Sequence, residues 1–165
     1  MGKYKIIITL LLILLTPACN PKVVNELELQ IGVNPDYKLG EDIRVTLFLV
    51  NNQEESIVVN KRMGLNVGQR HLGEVYFIIK SPSGQGVNLV PILDYSLNVP
   101  SDFIDLEPGK SLSHSYVLNQ YFAPLDEIGK YSIQAVYYNY SQPDDGRTAW
   151  TGEIRSDIVH FTVNP

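Results

Sequence analysis

Three histidines and a short serine-rich segment are the residues whose types suggest hydrolytic or metal chemistry. Ser113-His114-Ser115 places a base beside two hydroxyl groups, and nucleophilic hydrolysis requires such a pair. In a strand, however, His114 points to the opposite face from both serines, so these side chains do not pair directly. The other histidines, His71 and His160, lie on different predicted elements, without the spacing of converging metal ligands. These residues therefore predict neither a catalytic centre nor a metal site.

The acidic residues give no stronger indication of chemistry. Asp144-Asp145-Gly146 begins like a calcium-binding loop, but the further oxygen ligands at fixed offsets do not follow. Asp102, Asp105 and Glu107 fall in an irregular segment where nothing marks two of them as an acid–base pair. The chain carries 13 basic and 18 acidic residues without a basic cluster, which argues against a nucleic-acid partner. We therefore expect a protein that is not an enzyme and that binds no cofactor and no nucleic acid.

A single cysteine, Cys19, follows a segment with the features of an export signal. Lys3 and Lys5 give this segment a positive start, and residues 6–15 are apolar apart from one threonine. As a helix, an apolar run of this length spans about half of a bilayer's hydrocarbon core, so it is short for a transmembrane segment. Thr16-Pro17-Ala18 then ends the segment in small residues directly before the cysteine.

Residues 15–19, Leu-Thr-Pro-Ala-Cys, resemble the lipobox of bacterial lipoproteins, in which the cysteine is acylated and becomes the first mature residue. The resemblance implies that residues 1–18 are removed and that residues 19–26 form a lipidated tether. Because acyl chains contribute about 0.8 kcal/mol per buried methylene, several of them hold a protein at a membrane. We therefore expect a lipid-anchored protein of the bacterial cell envelope, at the outer membrane or cell surface. The alternative is an ordinary secretory signal in which Cys19 is incidental.

Aromatic residues crowd the two limbs of a predicted hairpin, with one arginine between them: Tyr137, Tyr138, Tyr140, Trp150 and Arg147. Exposed aromatic side chains beside an arginine are common in binding sites, so a protein or glycan partner would suit this face. Alternation places Tyr138 and Tyr140 opposite the predicted core, and we expect them to be more exposed than Trp150. We favour the alternative, in which the rings stabilise the sheet and Trp150 covers the end of the fold.

The elements that must position these residues are strands. Apolar and polar residues alternate over residues 27–33, 43–50 and 131–138, which predicts strands with one buried face. Residues 75–79 are apolar on both faces, as in a strand at the centre of a sheet. No helical periodicity of useful length occurs. We therefore predict one all-β domain over residues 27–165, an antiparallel β-sandwich of seven to nine strands behind the signal segment.

Turn and loop residues divide these strands. Asn34-Pro35-Asp36 predicts a turn, and the Asp-Gly pair within residues 142–146 predicts a hairpin. Residues 87–90 are a further short strand candidate. The glycine-containing segment 61–73 and the proline-containing segment 92–110 are predicted to be long connections.

Residues 125–131, Leu-Asp-Glu-Ile-Gly-Lys-Tyr, resemble the tyrosine corner of immunoglobulin-like sandwiches, in which a tyrosine hydroxyl bonds to upstream backbone. Asn51 and the Pro-Gly turn within residues 106–111 recur in similar order in small bacterial immunoglobulin-like domains. One such family looks like the intracellular proteinase inhibitors of bacilli, and others lie beside the catalytic domains of secreted peptidases. The resemblance implies an immunoglobulin-like fold. It leaves two functions open: an interaction or accessory module, and a proteinase inhibitor that presents loop 61–73 or 92–110 to an exported peptidase.

Overall fold

A computed structural model describes residues 26–66, 73–90 and 102–165 of the chain. The predicted signal segment and Cys19 lie outside the described residues, as do parts of the two predicted long connections. The described part holds ten strands and a short 3-10 turn at Leu118–Gln120. The strands are β1 (Leu27–Val33), β2 (Asp36–Lys38), β3 (Arg44–Asn51), β4 (Ile57–Asn60), β5 (Val75–Lys80), β6 (Phe103–Leu106), β7 (Ser111–Val117), β8 (Gly129–Asn139), β9 (Gly152–Arg155) and β10 (Val159–Asn164).

The strands form a sandwich of immunoglobulin-like type, which confirms the predicted fold class. The predicted number of seven to nine strands is too low, because the described residues form ten. One sheet has the order β1-β3-β7, and its neighbours are antiparallel. The other has the order β2-β10-β8-β5, and β9 pairs with the far half of β8. A two-stranded ribbon of β4 and β6 completes the described pairing. The pairing of β2 with β10 is parallel, unlike the antiparallel neighbours predicted.

Alternate residues of the central strands fill the core between the two sheets. Val45, Leu47 and Leu49 of β3 and Ile133 and Ala135 of β8 all have an exposed fraction of 0%. Fully burying a side chain of this kind contributes about 1.5–3 kcal/mol for the larger aliphatic residues. Packing of the two sheets on one another is therefore what holds the domain together.

Three local predictions are wrong because short strands depend on partners far along the chain. Asp36 begins β2 instead of completing a turn, and β6 lies inside the segment predicted to be a connection. Residues 87–90 form no strand, and only Leu89 makes an isolated bridge, with Phe122. Among the described strands, β5 pairs with β8 alone and so ends its sheet, and Ile78 lies on its exposed outer face.

The tyrosine corner is present at the start of β8. The backbone N–H of Glu127 donates to the hydroxyl of Tyr131 at 3.0 Å, and the Tyr131 ring stacks on Phe161 at a centroid distance of 5.0 Å. Burial raises the pKa of Tyr131. Gly129 has φ +134°, and a Cβ there would lie 2.9 Å from Cβ of Pro82, so the close turn requires glycine.

Removal of the Tyr131 hydroxyl tests this corner. Tyr131→Phe leaves the Glu127 N–H without its partner, and we expect a loss of about 1–2 kcal/mol in the free energy of unfolding, measured by urea denaturation. Tyr140→Phe is the matched control, because Tyr140 is exposed and its loss should stay within about 0.5 kcal/mol. Equal stabilities of the two variants would show that the corner hydrogen bond contributes nothing.

Candidate interaction site

The hairpin that carries the predicted aromatic residues is held by side-chain amides. Asn139 Nδ2 donates to the carbonyl of Trp150 at 2.7 Å, across the base of the hairpin. Gln142 and Ala149 form a reciprocal pair, with Nε2 donating to the carbonyl at 3.0 Å and Oε1 accepting from the N–H at 2.8 Å. Gly146 has φ +85°, as the predicted Asp-Gly turn requires. These bonds fix the backbone of Trp150.

Trp150 lies at the end of the core and is partly buried. The Trp150 ring stacks on Tyr137 at a centroid distance of 5.9 Å, and the backbone N–H of Trp150 donates to the carbonyl of Val58 at 2.8 Å. Gly152 leaves room for the ring, since a Cβ there would lie 3.2 Å from Trp150 Cζ2. These contacts support the interpretation that Trp150 covers one end of the sandwich.

The prediction that Tyr138 and Tyr140 form an exposed pair is wrong for Tyr138. Tyr138 is 7% exposed, whereas Tyr140 is 67% exposed. Asn66 Nδ2 donates to the Tyr138 hydroxyl at 2.6 Å, and burial raises the pKa of Tyr138 to about 12. The physical reason is that the segment after β4 crosses this end of β8 and covers the face that alternation assigns to solvent.

Arg147 is occupied by acidic partners within the hairpin and beside it. Its guanidinium contacts Asp145 at 2.6 Å and Asp105 of β6 at 2.9 Å. The hydrogen bonds that Arg147 donates to the Asp145 carboxylate lower the pKa of Asp145 and raise the pKa of Arg147. Arg147 therefore ties the hairpin turn to β6, and the structure does not bring Tyr138, Tyr140, Trp150 and Arg147 together as one exposed face.

A groove between β1 and β9 is the concave feature that includes Trp150. Its volume is about 460 Å³, within the size range of ligand clefts. The lining combines apolar side chains with charged ones: Leu27, Leu29, Trp150 and Ile154, with Glu26, Glu28, Glu153 and Arg155. The groove thus mixes apolar and charged side chains, and carboxylates predominate among the charged ones.

Two of the rim carboxylates are held in place by neighbours. Glu28 accepts from Asn52 Nδ2 at 2.9 Å, and Glu153 pairs with Arg155 at 2.6 Å. Arg155 also donates to the Tyr76 hydroxyl at 3.3 Å. Because three carboxylates face one guanidinium, the rim carries a net negative charge. Such a surface attracts cationic groups and repels anionic ones.

Sequence reasoning identified Trp150 as a candidate and missed the rest of the groove. Charged and apolar residues alternate on both walls, Glu28 between Leu27 and Leu29, and Ile154 between Glu153 and Arg155. This pattern marks strands with one polar face and says nothing about which strands lie opposite each other. The groove exists because β1 and β9 belong to different sheets that meet at this side of the sandwich.

Away from the groove, a buried carboxylate anchors the segment that follows β4. Glu74 accepts from Arg62 Nη2 at 2.6 Å, Arg62 Nε at 3.0 Å, the Gly64 N–H at 2.9 Å and Asn60 Nδ2 at 3.2 Å. The Glu74 side chain is 5% exposed and that of Arg62 is 15% exposed. A buried charge is tolerated when it is paired and fully hydrogen-bonded, as here. The arrangement holds a loop and leaves no carboxylate oxygen directed at a substrate.

Ser113, His114 and Ser115 do not form a catalytic arrangement. The His114 ring contacts that of Tyr116 at 4.8 Å, and partial burial lowers the pKa of His114. The Ser115 hydroxyl instead bonds to that of Thr46 at 2.9 Å on the other face of the sheet. The strand geometry predicts this separation.

Glu74 is expected to be a major determinant of stability. Glu74→Gln removes the buried negative charge that pairs with Arg62, so the free energy of unfolding should fall by about 3 kcal/mol in urea denaturation. Asp145→Asn makes the same chemical change in an exposed ion pair and should leave stability nearly unchanged. The anchoring role would be contradicted if both variants unfolded at the same urea concentration.

Among the described residues, no three His, Cys, Asp or Glu side chains are grouped as metal ligands. The part of the chain that the structure describes contains no helix long and apolar enough to cross a membrane. No protein-family model matches the chain, and no curated protein matches it.

Proposed function

We propose that this protein is a lipid-anchored, non-catalytic component of the bacterial cell envelope whose sandwich domain acts as an interaction or accessory module. The groove between β1 and β9 is the observation that supports this proposal most. It brings a partly buried tryptophan and four charged side chains to one concave surface, whose volume is in the range of ligand clefts.

The position of the chain entry supports a role at a membrane surface. Glu26 lines the groove and directly precedes β1, which begins at Leu27. The proposed tether from Cys19 therefore reaches the domain at the groove. Acyl chains on Cys19 would hold the protein at a bilayer, and the short tether would keep the groove close to that bilayer.

A proteinase inhibitor is the second candidate function, and the anchored loop favours it. The described residues at the start of loop 61–73 are anchored, because Arg62 and Gly64 donate to the side chain of Glu74, which directly follows the loop. Met63 between them has φ +45°, and its carbonyl accepts from the Tyr116 hydroxyl at 2.6 Å. Rigid loops bind with a smaller entropy cost than flexible ones. Inhibition of exported peptidases in a direct cleavage assay would support this alternative.

Lipidation is tested at the cysteine itself. Cys19→Ser removes the thiol that would be acylated, so the variant should leave the membrane fraction or retain its signal segment, and should lose labelling by a palmitate analogue. Thr16→Ser, a matched change that keeps the cysteine, should fractionate with membranes as the wild type does. A Cys19→Ser protein that is processed and remains membrane-bound contradicts the anchor.

The interaction role is tested by photo-crosslinking in intact cell envelopes. A photo-reactive residue is placed singly at Glu153 in the groove, at Tyr140 on the hairpin and at Asp42 before β3. A protein or glycan partner should give a specific adduct at one position at least, and the adduct should disappear when unlabelled protein competes. The same scan is then extended to the other exposed positions of the domain. If no position gives an adduct that unlabelled protein competes away, the interaction role is contradicted.

A further inference from the structure

The edge of the larger sheet is covered along one half and open along the other. β8 pairs with β10 over its first half and with β9 over its second half. β10 is covered on its outer side by β2, whereas β9 pairs with β8 alone among the described strands. β9 is therefore an open strand edge. It lies on the same side of β8 as β10, whose outer edge is covered by β2.

The backbone groups on this open edge can be assigned from the ladder. The Ser156 N–H donates to the carbonyl of Ala135 at 2.9 Å, so these residues form a hydrogen-bonded pair. Bonding alternates along an antiparallel ladder, so Ile154 faces β8 while the N–H and C=O groups of Glu153 and Arg155 point away from it. Unpaired edge groups of this kind are templates for an added strand.

The opposite wall of the groove is an edge as well. The Asn52 N–H donates to the carbonyl of Glu26 at 3.2 Å, so by the same alternation the backbone groups of Leu27 and Leu29 point away from β3. A chain segment that pairs with β9 would thus lie between two strand edges and beside the partly buried side chains of Trp150 and Ile154.

Charge selects the kind of segment. Glu26, Glu28 and Glu153 line the groove against the one guanidinium of Arg155, so a basic segment is attracted and an acidic one is repelled. The Trp150 ring offers an apolar contact and a surface for a cation. Because side chains alternate along a strand, apolar residues facing inward and Lys or Arg facing the rim satisfy both features.

We propose that the groove between β1 and β9 binds an extended peptide of a partner protein, in which Lys or Arg alternates with apolar residues, by strand addition to β9. The proposal rests on the proposed interaction function and specifies its partner. Main-chain hydrogen bonds to Glu153 and Arg155 supply affinity, while the acidic rim and Trp150 select the sequence.

Selection from random peptides tests the sequence preference. The full-length protein, purified from membranes in detergent, is used to select from a displayed library of peptides about nine residues long, roughly the length of a long strand. Selected peptides should carry Lys or Arg at alternate positions and lack proline at their centre. Recovery of acidic peptides, or of no peptide above background, overturns the proposal. Trp150 is the single tryptophan, so its emission should change when a selected peptide binds.

Variants and modified peptides test the site and the mode of binding. Glu153→Lys should weaken binding of the selected peptide at least about tenfold, whereas Asp42→Lys, the same charge change outside the groove, should alter the Kd by less than about twofold. N-methylation of the peptide backbone should abolish binding when it removes an N–H that pairs with β9. These are the N–H groups of every second residue, and methylation of the residues between them should leave binding unchanged. The proposal is overturned if the two Lys variants change the Kd equally, or if N-methylation has no effect at either the odd-numbered or the even-numbered peptide residues.

The crosslinking experiment separates this proposal from the more general function. Adducts at Glu153 support both the interaction role and the groove as its site. Adducts that are confined to Tyr140 or Asp42 overturn the groove and leave the interaction role standing. Absence of adducts at all exposed positions removes the interaction role itself.

Discussion

The buried carboxylate of Glu74 is the interaction on which the arrangement around β8 depends. It binds Asn60 at the end of β4, Arg62 and the backbone of Gly64, and so folds the following segment back onto the sheet. The backbone carbonyl of Glu74 also accepts from the N–H of Tyr138, which extends the β5–β8 ladder by one residue. A charge that is buried this far must keep all its partners, because an unpaired one would cost several kcal/mol. This requirement fixes the loop and buries Tyr138.

Tyrosine hydroxyls provide further links between the core and its connections. Tyr37 donates to the carbonyl of Arg44 at 3.0 Å, and Tyr137 donates to that of Asn60 at 3.2 Å. Each ring packs in the core while its hydroxyl donates to a backbone carbonyl at the end of a strand. The chain has one cysteine and therefore no disulfide within itself, so packing and such bonds replace a covalent link. Burial raises the pKa of Tyr137 and that of Tyr116, consistent with hydroxyls held away from water.

The groove results from two interruptions of strands at this side of the sandwich. The first strand leaves one sheet after Val33 and joins the other as β2, which covers β10. The last part of the chain is interrupted between Arg155 and Val159, so that β9 and β10 are separate strands. The covered half and the open half of this side result from these two breaks. A binding edge is thus built from ordinary sheet geometry, and its selectivity comes from the charges on the rim.

The amino-acid sequence by itself determined the all-β class, the long strands and the tyrosine corner, because alternation and turn residues act over a few neighbouring positions. Tyr131 and Gly129 were identifiable for this reason, and so was Trp150 as a residue at the end of the core. The short strand β2, the burial of Tyr138 and the groove were decided by the tertiary structure. Each of these depends on a partner that is distant along the chain, such as Asn66 for Tyr138. A local pattern gives the polarity of each face, and long-range packing decides what covers it.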